Sequence, residues 1–272
     1  MKYILFFLCT LSGTGYAQEL FTYTEPASNM AAKSIGLRLN TMLGKNVDGT
    51  TMVGVNPEIM FGISRKIMIH ANAYVTNNPT SKTTNDLAYN GAGFYVKYRF
   101  FSVDEVHSHF RLAAFAKAAT SNMLINQPAI NLNGNNTGYE AGVVATKLVN
   151  KVAFSASAGY VKAFSNKNEK FHYGSNASQA FEYTLSLGKL MLPKEYTDYN
   201  QTNLNMMVEM LGQFNPALDI GYLDIAPSLQ LIIKSRIRVD AGYRFPVNNN
   251  LFRTSPRGFL LRLEYNIFNA YK

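Results

Sequence analysis

The stretch Phe259-Leu260-Leu261-Arg262-Leu263-Glu264-Tyr265-Asn266-Ile267, near the end of the chain, decides the fold. Its odd positions are all apolar or aromatic, whereas its even positions from Arg262 onward are charged or polar. A period of two indicates a β-strand whose two faces meet different surroundings. Because several charges follow one another on one face while the other face is continuously apolar, the pattern favours a membrane-spanning β-barrel.

The same alternation recurs along the chain, starting with the neighbouring residues 236–245. Stretches rich in Asn, Gly, Asp, Ser and Pro separate the alternating segments, as expected for turns. The sequence therefore predicts an all-β fold, a closed antiparallel transmembrane β-barrel of about 12 strands within residues 34–268. The predicted strands are residues 34–43, 51–63, 66–76, 90–102, 108–119, 138–149, 152–164, 180–191, 203–214, 221–234, 236–246 and 257–268.

The connections between these segments support the barrel, because outer-membrane barrels alternate long external loops with short periplasmic turns. The second, sixth and tenth connections are tight. The third, fifth and seventh, residues 77–89, 121–137 and 165–179, are long and polar. The eighth, residues 192–202, departs from the rule, and we expect it to fold onto the periplasmic rim.

Composition excludes several classes of protein. The 272 residues are 47% hydrophobic and only 16% charged, which excludes a disordered chain. After the leader, no apolar run approaches the roughly 18 residues that a membrane helix needs. The net charge of +9 does not indicate a nucleic-acid partner, because the basic residues are scattered singly and no nucleic-acid-binding motif is present.

Residues 1–17 have the pattern of a secretory signal peptide. Lys2 supplies the charge, residues 3–11 are apolar, and Gly15 and Ala17 occupy the −3 and −1 positions of a cleavage site. The single cysteine, Cys9, lies within this leader, so the predicted mature chain contains no thiol. We expect residues 18–33 to form a periplasmic N-terminal segment and residues 269–272 a C-terminal tail of a protein of the cell outer membrane.

The leader, the alternating strands and the last strand ending at Phe268 resemble small Gram-negative outer-membrane barrels. Further stretches are similar to an uncharacterised Bacteroidota group of outer-membrane transport proteins, and the resemblance covers nearly the whole mature chain. It implies transport, but neither a substrate nor a catalytic residue. These stretches are Glu25-Pro26-Ala27-Ser28-Asn29-Met30, Tyr98-Arg99-Phe100-Phe101-Ser102-Val103-Asp104 and Lys189-Leu190-Met191-Leu192-Pro193-Lys194-Glu195-Tyr196-Thr197-Asp198-Tyr199.

Extending the alternation through all strands predicts which charged residues line the lumen. Mixed charges of this kind either cross-link a narrow interior or line a path for solutes, and both interpretations stay open here. The predicted basic lining residues are Arg38, Lys97, Arg99, Arg111, Lys117, Lys234, Arg236, Arg238, Arg244 and Arg262. The predicted acidic lining residues are Glu58, Glu140, Glu182, Glu209, Asp224, Asp240 and Glu264.

The preferred function is a channel for passive passage of small polar solutes. Arg236, Arg238, Arg244 and Arg262 would then form a cationic wall that favours anions. The alternative is a non-conducting structural or interaction barrel with a salt-bridged lumen and partner-binding loops. A barrel-embedded hydrolase and a soluble secreted β-sandwich are the remaining hypotheses. Expected partners are outer-membrane lipid, a small solute, and a second copy or a periplasmic protein.

Metal and enzyme motifs are weak. His107 and His109, with Asp104 and Glu105 nearby, resemble a solvated turn more than a ligand set. The chain lacks a G-x-S-x-G elbow, an H-E-x-x-H motif and a phosphate-binding loop. The sequence therefore predicts no enzyme activity, no cofactor and no metal. Apolar packing is the preferred role, and copper passage the alternative, for three methionines predicted to face inward: Met60, Met68 and Met207.

Overall fold

The computed structural model describes residues 21–77, 86–105, 108–167, 169–174, 176–194 and 200–271. The predicted signal peptide lies outside these residues, as do parts of the segments 77–89 and 192–202. The strands are β1 (Ser34–Lys45), β2 (Thr51–Gly62), β3 (Ile67–Thr76), β4 (Ala88–Asp104), β5 (Ser108–Ala119), β6 (Gly138–Val149), β7 (Val152–Ala163), β8 (Gln179–Leu192), β9 (Thr202–Asn215), β10 (Ile220–Ile233), β11 (Ile237–Asn249) and β12 (Arg257–Ile267).

Each strand pairs antiparallel with its neighbours in sequence, and β1 pairs with β12 to close the sheet. In the closing pair Arg38 lies opposite Glu264. The predicted closed barrel of 12 antiparallel strands is confirmed, and no strand end differs from its prediction by more than three residues. Closure leaves no free sheet edge, which is required of a β-structure that spans hydrocarbon.

Along the described parts of the chain, no helix is long and apolar enough to cross a bilayer.

The two faces of β12 differ as the alternation predicts. Phe259, Leu261 and Leu263 are 61%, 46% and 47% exposed on the outside of the barrel. Arg262 and Glu264 are 8% and 6% exposed and face the interior. An apolar exterior around a polar interior is the reverse of a soluble protein, because the surrounding medium is hydrocarbon.

Aromatic side chains gather near both ends of the barrel exterior. At one end, the rings of Tyr139 and Phe164 lie 5.8 Å apart and exposed Phe181 stands beside Tyr160, at 5.9 Å. At the other end Phe101 packs edge-on against Phe110, at 6.0 Å. Such girdles mark the two membrane interfaces of outer-membrane barrels.

The long and short connections lie at opposite ends, here called the long-loop end and the short-turn end. The short-turn end carries the turns at residues 150–151 and 234–236. The start of β1 and the end of β12 also lie at this end. The fifth connection, residues 120–137, folds into the barrel from the long-loop end. Its Met123 and Ile130 are 2% and 1% exposed, and Gln213 of β9 bonds both backbone groups of Ile130.

Residues 21–30, here called the lumen segment, lie inside the barrel. The prediction of a periplasmic segment over residues 18–33 is wrong for this part, since Phe21, Ala27 and Asn29 are at most 3% exposed. Lys33 adopts a left-handed conformation (φ 60°) that turns the chain back into the lumen before β1 starts. Gly62 permits this path, because a Cβ there would lie 2.0 Å from the carbonyl oxygen of Ala31.

Placing a charge on the outer face of β12 is expected to destabilise the barrel. Leu263 faces hydrocarbon, so Leu263→Arg should lower the free energy of unfolding in bilayers by about 2–4 kcal/mol. Urea titration of protein folded in lipid vesicles measures this loss. Val47→Arg is the matched control, because Val47 is 60% exposed in the turn after β1, outside the strands. Equal losses in both variants would contradict a lipid-facing position for Leu263.

Candidate functional site in the barrel lumen

The carboxylate of Glu209, on β9, holds the start of the lumen segment. Its Oε1 accepts hydrogen bonds from the backbone N–H groups of Thr22 and Tyr23, at 2.8 and 2.9 Å. Its Oε2 accepts from the backbone N–H and the hydroxyl of Thr24, at 2.9 and 2.8 Å. Glu209 is completely buried, and hydrogen bonds to a charged acceptor are stronger than neutral ones. One side chain therefore satisfies three successive backbone donors of a segment that lies outside the sheet.

Side chains from several other strands hold the rest of the lumen segment. Lys97 of β4, 0% exposed, donates hydrogen bonds to the carbonyl oxygens of Pro26 and Ser28, at 2.7 and 2.8 Å. The lumen segment is thus fixed by contacts to side chains on opposite parts of the wall. Three further hydrogen bonds of 2.6–2.9 Å are donated by Ala27 N to Thr146 Oγ1, by Arg111 Nη1 to Ser28 Oγ, and by Arg238 Nη2 to the carbonyl oxygen of Phe21.

Arg38 of β1 is the centre of a buried ion-pair cluster. Its guanidinium contacts Glu58 of β2 at 3.1 Å and Glu264 of β12 at 2.9 Å, from the two neighbouring strands. It also contacts Glu25 of the lumen segment at 2.9 Å. Glu58 in turn lies 2.8 Å from His70 Nδ1. The cluster therefore joins the strands that close the barrel to the segment that fills it.

A second cluster occupies β11 and β12. Arg238 contacts Asp240 at 2.7 Å, and Arg262 contacts the same carboxylate at 3.5 Å. Arg262 also donates a hydrogen bond to the amide oxygen of Asn40, at 2.7 Å. Since these cations have anionic partners, the charge that they present to the lumen is largely neutralised.

A third cluster lies closer to the long-loop end. Asp224 of β10, fully buried, accepts hydrogen bonds from Arg244 of β11 and from Arg253 in the connection to β12. Arg253 stacks on the ring of Tyr222 at 3.7 Å, a cation–π contact. The three charges leave this part of the wall with a net positive charge.

A cavity of about 410 Å³ remains between the lumen segment and the inward-folded connection 120–137. Thr22 and Glu25 belong to its floor, and Met123 and Ile130 line it from the inward-folded connection. Its lining extends to exposed Arg257 at the long-loop end. The cavity therefore extends to the long-loop end and is bordered on its other side by the lumen segment.

The wall of this cavity carries opposite charges on different strands. Glu140 of β6 and Glu182 of β8 line one part, and Arg244 and Arg253 line another. Glu182 accepts a hydrogen bond of 2.7 Å from the amide of Gln213. The arrangement is suited to holding a small polar solute, since pockets of this size usually combine apolar walls with a few polar groups.

The predicted lining residues fall into two groups, those on strands and those in a turn. Fifteen of the seventeen lie on strands with partly or fully buried side chains; Lys117 donates to Asn133 Oδ1 at 2.5 Å, and Arg99 is half-buried on β4. Lys234 and Arg236 are corrections, because both are exposed in the turn between β10 and β11. The predicted cationic wall is not assembled, since Arg236 lies in this turn and Arg238 lies beneath the lumen segment.

Several site residues were missed by the sequence analysis. Arg253 lies in a connection and Tyr222, Tyr95 and Phe115 are uncharged, so a search for charges on strands passes over them. The lumen segment had an indirect signal. Glu209 and Lys97 face inward, yet their cross-strand neighbours are Ser186 and Ala226 for the first and Met68 and Phe115 for the second, so each buried charge needs a partner from outside the sheet.

The methionines and the rim histidine have local roles. Met60 and Met68 pack with Met30 of the lumen segment, and Met207 packs with Phe21. His109 Nδ1 lies 2.9 Å from Asp104 in a polar cluster at the short-turn end, while His107 lies outside the described residues.

The closed barrel, the apolar exterior, the aromatic bands and the charged interior define the class. The protein is an outer-membrane β-barrel.

Comparison with solved structures finds several proteins of low sequence identity that are similar to this chain. The NanC porin is similar with a TM-score of 0.49 at 10% identity, and the KdgM porin with 0.45 at 8% identity. The β-domain of the Bordetella autotransporter BrkA has a TM-score of 0.45 at 12% identity. Each likeness covers 85% of this chain and 98% of the other. No family model and no curated protein matches the sequence.

Proposed function

We propose that this protein is an outer-membrane channel for small polar solutes whose passage requires displacement of the lumen segment. The observation that carries the proposal is the hydrogen bonding of this segment to the carboxylate of Glu209. The segment leads into β1 through residues 31–33, and its contacts inside the barrel include hydrogen bonds and ion pairs to side chains of the wall. Such contacts exchange readily for water when the segment moves, whereas strand pairing within the barrel wall stays intact.

The proposal also covers the orientation of the protein in the membrane and its resemblance to a group of transport proteins. The short-turn end faces the periplasm and the long-loop end faces the exterior, as in outer-membrane barrels generally. The cavity then receives solutes from outside, and the lumen segment controls their exit to the periplasm. The sequence resemblance to a Bacteroidota transport group agrees with this role, and the role is not enzymatic.

Solute selectivity is weaker for anions than the count of basic residues implies. Arg38, Arg238 and Arg262 have carboxylate partners within 3.5 Å, so their fields are screened by their own ion pairs. We therefore propose that the channel passes small polar solutes in general. Because the arginines are ion-paired, its preference for anions is small.

A disulfide that locks the lumen segment tests the proposal. Thr24 Oγ1 and Ser186 Oγ are 3.0 Å apart, so cysteines at these positions lie within reach of a disulfide. The Thr24→Cys/Ser186→Cys protein should show channel openings in planar bilayers only after reduction. Thr24→Cys alone is the control and should be insensitive to oxidant.

The non-conducting alternative is favoured by one observation, the buried Arg38 cluster that joins Glu25 of the lumen segment to the wall. It predicts that the reduced double-cysteine protein and a variant lacking residues 21–29 both stay closed. A folded, heat-modifiable barrel that conducts in none of these forms would overturn the channel proposal.

A further inference from the structure

We propose that the lumen cavity binds a small solute through its ammonium group, at a site formed by Glu140, Glu182 and the aromatic side chains beside them. This inference rests on the channel function proposed above and names the class of solute that enters it.

Glu140 and Glu182 differ from the other inward-facing acids. Among the described residues, neither carboxylate forms an ion pair, whereas Glu58, Asp224, Asp240 and Glu264 all do. Glu209, the remaining acid, has both carboxylate oxygens hydrogen-bonded to the lumen segment. Lys117 of β5 lies in register with Glu140 and lines the same cavity, but it donates its hydrogen bond to Asn133. The two carboxylates repel each other, so a cation between them is stabilised.

The position of Glu140 is tied to an aromatic wall. A Cβ added to Gly159 would lie 3.2 Å from Glu140 Oε1 and 3.5 Å from Phe115 Cζ. The carboxylate and the ring are therefore neighbours above Gly159. The ring of Phe115 stacks on that of Tyr95, with centroids 5.8 Å apart. Aromatic faces next to carboxylates are a recurring environment for organic ammonium groups, because the ring quadrupole attracts cations.

His70 supplies a separate indication of a polar ligand. It borders the cavity, is 4% exposed, and packs against Tyr95 with ring centroids 5.0 Å apart. Its Nδ1 lies next to Glu58, but no described group bonds to its Nε2. A buried nitrogen without a partner is costly, and a hydrogen-bonding solute relieves that cost.

The opposite part of the wall restricts the solute further. Glu182, Gln213 and Tyr222 are in register across β8, β9 and β10, so the acidic and Tyr222 positions are about 10 Å apart. Arg253 stacks on Tyr222, and Arg244 lies beside it. These cations repel a second ammonium group and attract a carboxylate. The cavity therefore fits a monoamine or a zwitterion of a few carbon atoms.

Calorimetric titration of the refolded protein in detergent tests the site with four probes. n-Butylammonium and γ-aminobutyrate are expected to bind, whereas butyrate and Mg²⁺ are not. Glu140→Gln/Glu182→Gln should weaken binding of both amines about a hundredfold. Phe115→Leu should weaken it about threefold. Glu105→Gln, at an exposed position on the short-turn end, is the matched control and should bind as the native protein does.

Unchanged amine affinity in the double variant, or binding of Mg²⁺ in preference to the amines, would overturn the site. Binding needs no open channel, so the two proposals fail separately. Amine binding to a barrel that never conducts refutes the channel and keeps the site, whereas a conducting barrel without amine affinity refutes only the site.

Discussion

Glu209→Ala is expected to release the lumen segment and raise the open probability of the channel about a hundredfold. The substitution removes the acceptor of four hydrogen bonds from Thr22, Tyr23 and Thr24. Bonds to a charged group contribute more than neutral ones, so a loss of about 3 kcal/mol from the seated state is a moderate estimate. A loss of this size shifts the equilibrium between the bound and the displaced lumen segment about a hundredfold toward the displaced form. Planar-bilayer recording measures it directly.

Protease access provides a second readout that does not depend on conductance. In the native protein the lumen segment is buried, so cleavage near Tyr23 should be slow; in Glu209→Ala it should become fast while the barrel stays heat-modifiable. Glu105→Ala removes an exposed carboxylate at the short-turn end and should change neither quantity. A Glu209→Ala barrel that stays closed and protected would show that Glu209 does not hold the segment.

The alternating strands could be predicted because their cause is local. Each residue of β12 faces either lipid or lumen, and that choice is visible in the sequence itself, as at Leu263 and Glu264. The turn after β10 was predicted too short, as residue 235 alone, because the alternation continues through Lys234 and Arg236. Lys234 and Ser235 adopt left-handed conformations, with φ values of 50° and 55°, although the sequence has no glycine there to indicate a turn.

The lumen segment could not be predicted for the opposite reason. Its ten residues have no period, and their partners are scattered over the chain, as far apart as Lys97 and Arg238. These side chains come close together only in the closed barrel. The inward fold of residues 120–137 has the same origin, since Gln213 meets Ile130 only after β9 has joined the wall.

Arg38→Met is expected to lower the free energy of unfolding by about 3–5 kcal/mol, the usual loss when one partner of a buried ion pair is removed. The guanidinium lies within 3.1 Å of Glu25, Glu58 and Glu264. Its removal leaves three carboxylates facing one another without that cation. Denaturant titration of the protein in vesicles measures the loss, and Arg257→Met, at an exposed position, should cost far less.

The pH dependence separates this electrostatic cause from a loss of packing. Acidification protonates the carboxylates left around position 38, which removes their mutual repulsion. The deficit of Arg38→Met relative to the native protein should therefore shrink as the pH falls from 7 toward 4, while a deficit caused by lost packing would stay constant. The variant should also seat its lumen segment less firmly, because Glu25 loses its partner in the wall. A constant deficit with an unchanged open probability would mean that Arg38 stabilises the barrel by filling space and does not couple wall to segment.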